Sequence, residues 1–189
     1  LIDAYALIYR AYYALIRAPR VTSKGLNTSA IFGFCNTLED VLRKENPTHV
    51  AVCFDPKGGT FRHEAYPQYK AQRDAQPEDI TISIPYIKDI LAANNITVIE
   101  VPGYEADDII GTVAGKCGDA GIECIITTGD RDSFQLVSDT TTVYLTSTRM
   151  GKSETKVITP DKIMEDYGVT PKKMIDIKLY FHQQLRHSS

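Results

Sequence analysis

Short apolar runs alternate along this chain with longer stretches in which apolar residues recur every three to four positions. That order predicts an α/β fold: a mostly parallel central sheet with amphipathic helices on both faces. Residues 1–3 read as a strand stub. Residues 4–16 read as a helix, because Leu7, Ile8, Ala11 and Leu15 fall on one face at helical spacing. A loop at 19–28 carries Pro, Gly, Ser and Thr, and a second helix is expected over 29–44. The run His49-Val-Ala-Val-Cys-Phe-Asp55 is almost continuously apolar and closes on a carboxylate, as a buried parallel strand does at its carboxyl end. The alternation continues with a helix at 78–94, a strand at 97–101, a helix at 104–120 stopped by Gly121, and strands at 123–128 and 141–145. Two short helices are expected at 160–167 and 171–179, each opening with proline in the first-turn position that proline tolerates.

Two segments break the pattern. Residues 56–77 mix glycines, prolines, aromatics and cations too irregularly for a core element, and we read them as an arch-like loop. Residues 179–189 have no convincing period and read as an atypical tail, a cloning scar or an incomplete C-terminal region. The expected organisation is therefore a single core over 1–178, the loop projecting from it, and the tail.

A length of 189 residues suits one such core without cross-links to staple it. The four cysteines (Cys35, Cys53, Cys117 and Cys124) form no Cys-x-x-Cys pair and read as small buried residues rather than a zinc or redox motif. No apolar run is long enough to span a bilayer, so a cytoplasmic, monomeric protein with no membrane partner is the expectation. A formal net charge of -3 argues against nucleic-acid binding by the sum alone. The placement of the acids changes that picture.

Asp3, Asp55 and Asp130 each follow an apolar strand, and ligands of open parallel sheets bind at the carboxyl ends of strands. Glu105 and Asp108 lie three apart at a helix start and share a face, with Asp107 about 100° from each. Carboxylates crowded at one edge repel one another and shift toward protonation unless a cation joins them. Oxygen donors suit Mg²⁺, with Mn²⁺ able to substitute, whereas zinc prefers the histidine and cysteine missing from this edge. Any one of these acids alone would be read as an ordinary helix cap.

The stretch from Phe61 to Arg73 interleaves cations with rings, the mixture that holds phosphates and stacks bases. Tyr66, Tyr69, Lys70 and Arg73 are its candidate DNA contacts. Arg10 and Arg62 each lie seven residues beyond a candidate ligand, about two helical turns, and are expected to reach a bound phosphate. Arg10 also fits a partly buried helix position with its tip in water.

The motifs Leu1-Ile-Asp-Ala-Tyr-Ala-Leu-Ile-Tyr-Arg-Ala-Tyr-Tyr-Ala14, Phe54-Asp55, Phe61-Arg-His-Glu-Ala-Tyr-Pro-Gln-Tyr-Lys70, Val101-Pro-Gly-Tyr-Glu-Ala-Asp-Asp108 and Thr128-Gly-Asp-Arg-Asp132 together resemble the 5′ to 3′ exonuclease domain of bacterial DNA polymerase I, within the flap endonuclease family. The resemblance runs from residue 1 to about 178. It implies a PIN-like core that hydrolyses DNA carrying a free 5′ end, such as flaps or nicked duplexes, with two divalent ions, in Okazaki-fragment processing and repair. It fits either a nuclease with a polymerase domain following in the same chain as its partner, or a separate nuclease protein.

By motif position it implies Asp3, Asp55, Glu105 and Asp107 as ligands centred on a first ion, with Asp108, Asp130 and Asp132 nearer a second. Lys70 and Arg73 match the arch cations that hold the scissile phosphate, which makes them, with Arg62 and Arg10, the candidate catalytic residues. The family continues after Met174-Ile-Asp-Ile into a Gly-Asp-x-Ser-Asp-Asn segment and a helix-hairpin-helix-like duplex clamp, where this chain reads Lys178-Leu-Tyr-Phe181. If the chain ends there, the second ion's ligand set and the duplex grip are expected to be incomplete; if the tail is a cloning scar or spans a gap, the natural protein carries both. Two other readings stand beside the nuclease: a PIN-like ribonuclease, and a fragment that binds DNA or metal with impaired turnover.

Overall fold

The computed structural model describes residues 1–72, 74–149 and 152–177. Its elements run β1 (Ile2–Asp3), α1 (Ala4–Ala14), α2 (Ser29–Glu45), β2 (Ala51–Cys53), α3 (Phe61–Ala65), α4 (Glu78–Ala93), β3 (Thr97–Ile99), α5 (Ala106–Asp119), β4 (Cys124–Thr128), a 3-10 turn (Arg131–Leu136), β5 (Thr141–Arg149), β6 (Lys152–Ile158), α6 (Pro160–Tyr167) and a second 3-10 turn (Pro171–Lys173). The strands form one six-stranded sheet in the order β3-β2-β1-β4-β5-β6. The first five are parallel to their neighbours, and β6 runs antiparallel against β5.

Side chains on successive strand residues face opposite sides of the sheet and build two cores. Ile2, Val52 and Phe54 join Leu7, Ile8, Phe34, Ile84 and Leu91 under α1, α2 and α4. Cys53, Ile126, Val143 and Leu145 join Ile109, Ile110, Phe134 and Ile163 under α5 and α6. Two-sided burial is why the strands read as continuous apolar runs. On the first face α1 and α2 meet closely: a Cβ placed on Gly33 would sit 2.6 Å from Ala11 Cβ.

Three local expectations are revised. The edge strand β6 follows the expected strand at 141–145, which is longer than its apolar pattern suggested; Glu154 to Val157 are exposed, so β6 carries little hydrophobic signal. The irregular segment 56–77 holds one short helix, α3. The helix expected at 171–179 opens as a 3-10 turn, and its last two residues, with the tail 179–189, lie outside the described residues. Among the described residues no helix is long and apolar enough to cross a membrane.

The strand order places β1 at the point where the winding reverses, with β2 on one side and β4 on the other. In open parallel sheets ligands bind at such a point, outside the carboxyl ends of the strands, because the connecting helices leave toward opposite faces.

Candidate metal centre and the adjoining cationic segment

Asp3 ends β1 and is almost wholly buried, at 7% exposure. It is the N-cap of α1, with Oδ1 accepting from the Ala6 N–H at 3.1 Å. Asp55, two residues past β2, caps the start of α5 by accepting from the Ala106 N–H at 2.7 Å. Asp130, two past β4, accepts from the Asp132 N–H at 2.9 Å as the 3-10 turn begins. Each strand-end acid is thus a helix cap as well as a member of the edge, and capping holds its carboxylate in a set orientation.

Thr128, the last residue of β4, joins two of these acids and was not singled out from the sequence. Its fully buried hydroxyl donates to Asp3 Oδ2 at 2.9 Å and accepts from the Asp130 N–H at 3.1 Å. The Thr146 hydroxyl on β5 donates to the Thr128 carbonyl at 3.1 Å and steadies the strand behind it. The one sequence signal was adjacency, a hydroxyl residue two before Asp130 at a predicted strand end.

Burial raises the Asp3 carboxyl above its usual range, against the Ala6 and Thr128 hydrogen bonds, and the charges of Asp55 and Asp130 add to the rise. Asp107, in the first turn of α5, opens to solvent yet is surrounded by many protein atoms. That partial desolvation, followed by the charges of Asp3, Asp130, Asp55 and Asp132, pushes its carboxyl up to about 7. Five acids from four separate stretches therefore act on one another.

Among the described residues no three acidic, imidazole or thiol side chains close around one point tightly enough to coordinate an ion. The acids meet through their fields instead. The donor chemistry still fits a hard divalent cation: the groups in mutual range are all carboxylates, and the nearby His63 ring is engaged by the backbone N–H and hydroxyl of Thr60.

Glu105 and Asp108 share the opposite aspect of the helix start and face cations. The Arg62 guanidinium grips Asp108 with two hydrogen bonds of 2.6 and 2.7 Å. Lys70 Nζ donates to Glu105 Oε1 at 2.8 Å, and the Tyr69 hydroxyl to Glu105 Oε2 at 3.1 Å. The hydrogen bonds from Arg62 hold the Asp108 carboxyl below the usual range, and Asp108 in turn raises the Arg62 guanidinium. Lys70 takes a left-handed backbone, φ 56°, which a lysine rarely adopts and which turns the chain back toward the helix.

The remaining candidates scatter. Tyr66 is exposed, its hydroxyl donating to Gln68. Arg10 lays its guanidinium on the Thr37 hydroxyl at 2.7 Å and the Ser147 carbonyl at 3.5 Å, between α1, α2 and β5. Arg73 lies outside the described residues.

Residues 1–168 match the model of the 5'-3' exonuclease, N-terminal resolvase-like domain. The chain belongs to this nuclease family. Curated relatives include DNA polymerase I of Mycobacterium bovis, 43% identical over 176 residues, covering 93% of this chain and 19% of the relative. DNA polymerase I of Bacillus subtilis is 40% identical over 179 residues, covering 94% of this chain and 20% of the relative. The chain thus spans about a fifth of the length of these relatives. Among solved structures, a bacteriophage T5 flap endonuclease in a pseudo-enzyme–product complex with DNA and metal ions superposes with a TM-score of 0.60 at 17% identity, covering 89% of this chain and 60% of that one. This last likeness is one of fold.

Proposed function

We propose that this domain of the 5'-3' exonuclease family is a structure-specific 5′-nuclease that hydrolyses DNA phosphodiesters near a free 5′ end, with Mg²⁺ as its ion and Mn²⁺ as a substitute. The observation that carries the reading is the meeting of Asp3, Asp55, Asp107, Asp130 and Asp132 at the reversal point of the sheet, with Arg62, Tyr69 and Lys70 beside them. The flap endonuclease of T5, crystallised with DNA and metal ions, supports it. So do the DNA polymerase I relatives, in which removal of Okazaki primers and repair would be the setting.

Asp3, Asp55 and Asp107 would hold a first ion, and Asp130 and Asp132 would lie nearer a second. Divalent ions held there would lower the pKa of a bound water, so that hydroxide is available near neutral pH, and would offset the charge on the departing oxygen. The protein's own part is positional and electrostatic. Caps and the Thr128 hydroxyl keep the acids aimed before any ion arrives, so little reorganisation is left for the reaction. Lys70 contacts Glu105 through its ammonium, and a scissile phosphate would take that contact over and have its negative charge offset by the ammonium. Arg73 is proposed as a second cation for that phosphate.

The test is cleavage of a 5′-labelled DNA flap with Mg²⁺ or Mn²⁺, by this chain and by its Asp55→Asn variant. Asp55→Asn is expected to cut at least about 100-fold more slowly, because the amide carries no charge for the ion. Undiminished cutting by the variant, or a preference for single-stranded RNA over the DNA flap, would refute the reading.

A further inference from the structure

Resting on that nuclease reading, we propose that Arg62 and Asp108 form a clasp that positions the 61–70 segment over the acidic edge. In this arrangement Arg62 is a positioning residue rather than a phosphate contact, and Asp108 is its anchor rather than a metal ligand.

The first turn of α5 presents two aspects. Asp107 is bathed in the charges of Asp3, Asp55, Asp130 and Asp132. Asp108, about 100° further round, has both oxygens occupied: Oδ1 by Arg62 at 2.7 Å, and Oδ2 by Arg62 at 2.6 Å and by the Glu105 N–H at 3.0 Å. The charges acting on it are those of Arg62 and Lys70. A carboxylate filled by a planar, two-point guanidinium is poorly placed to share an ion with Asp107, whose side chain points about 100° away around the same turn.

The clasp is the centre of a longer seam. The Phe61 N–H donates to the Gly103 carbonyl at 3.0 Å, and the Phe61 and Tyr104 rings meet with centroids 5.6 Å apart. Arg62 covers the Phe61 ring at 4.5 Å. With α3 fastened by Arg62, the turn after Tyr66 carries Tyr69 and Lys70 back to the buried Glu105. The two contacts differ in kind. Arg62–Asp108 is bidentate with side-chain exposures of 32% and 22%, a fixed joint; Lys70–Glu105 is a single-point contact at the end of a flexible stem. Arg62 anchors the segment, so that an exchange of the Lys70 ammonium from the Glu105 carboxylate to a phosphate would not release the segment from the site.

The experiment measures hydrogen–deuterium exchange across residues 61–72 and Mn²⁺ binding by calorimetry. It uses the parent chain, Asp108→Asn, Arg62→Gln, their double variant, the exchanged pair Arg62→Asp with Asp108→Arg, and Asp107→Asn as the reference for a lost ligand. Each clasp substitution is expected to speed exchange in the segment by about tenfold or more, the loss of a charge-assisted pair. The double variant should exchange no faster than either single one, the exchanged pair should recover part of the protection, and amides of β1 and β4 should keep theirs as proof of an intact fold. Mn²⁺ affinity should stay within about twofold in Asp108→Asn and fall more than tenfold in Asp107→Asn. Unchanged exchange in the single variants, or Asp108→Asn losing Mn²⁺ as Asp107→Asn does, would overturn the clasp. Neither readout involves cleavage, so a failure of the nuclease reading in the flap assay is distinguishable from a failure here.

Discussion

Replacing Thr128 by valine removes one hydroxyl at almost constant volume from a fully buried position between two acids. The hydrogen bond lost to the Asp3 carboxylate is worth about 1.5–3 kcal/mol, as bonds to charged groups are. The Asp130 N–H is also released, but Asp130 is exposed and water replaces that partner at small cost. The sum is about 2–3 kcal/mol, which for a chain of this length lowers the melting temperature by roughly 5–10 °C. The bond favours the ionised form of Asp3, so the loss is largest where Asp3 is ionised and shrinks as the pH falls through its titration, which burial raises above the usual carboxyl range. Thr128→Ser keeps the hydroxyl and serves as the control. Thermal unfolding followed by circular dichroism, with Mn²⁺ titration alongside, is the assay; ion affinity should fall about 10–100-fold in the valine variant, as it does when a ligand loses the partner that aims it. A valine variant melting within about 1 °C of the parent, with Mn²⁺ binding intact, would refute the assignment of Thr128 as the residue that orients Asp3.

Two further outcomes follow from the geometry. The Asp107 carboxyl is pushed up to about 7, so without metal the folded protein binds a proton there that the unfolded chain, with its ordinary carboxyl, does not. Stability from this group is therefore lost as the pH rises from about 4 to about 7, and Asp107→Asn should raise the metal-free melting temperature above neutrality and flatten its pH dependence; a variant that melts below the parent there would contradict this. Gly33→Ala would place a methyl 2.6 Å from Ala11 Cβ and force α1 and α2 apart, a cost of about 1–3 kcal/mol that denaturant unfolding would read, and an unchanged midpoint would show the helices to be less tightly opposed than described.

The parallel sheet was legible because strands buried on both faces must be apolar throughout, as residues 50–54 show, while the helices between them repeat at their own period. The acids at strand ends were legible for the same reason: a charge that closes an apolar run can only lie at the edge. β6 was not, since an exposed edge strand need not alternate. Nor was Thr128, whose role depends on β1 and β4 lying side by side across more than a hundred residues of chain.

By itself, then, the amino-acid order determined the fold class, the edge at which chemistry gathers, and the set of acids and cations available to it, because burial and periodicity are written locally. Tertiary structure alone decided how that set divides. Asp107 and Asp108 are neighbours in sequence, yet one faces four other carboxylates and the other is clasped by Arg62 from a segment 46 residues away. Arg10 and Arg62 had equal standing by spacing, yet one lies against Thr37 and the other against Asp108. A helix turns each successive side chain by about 100°, and which partner waits on each side is set by the packing of distant elements, which no local pattern records.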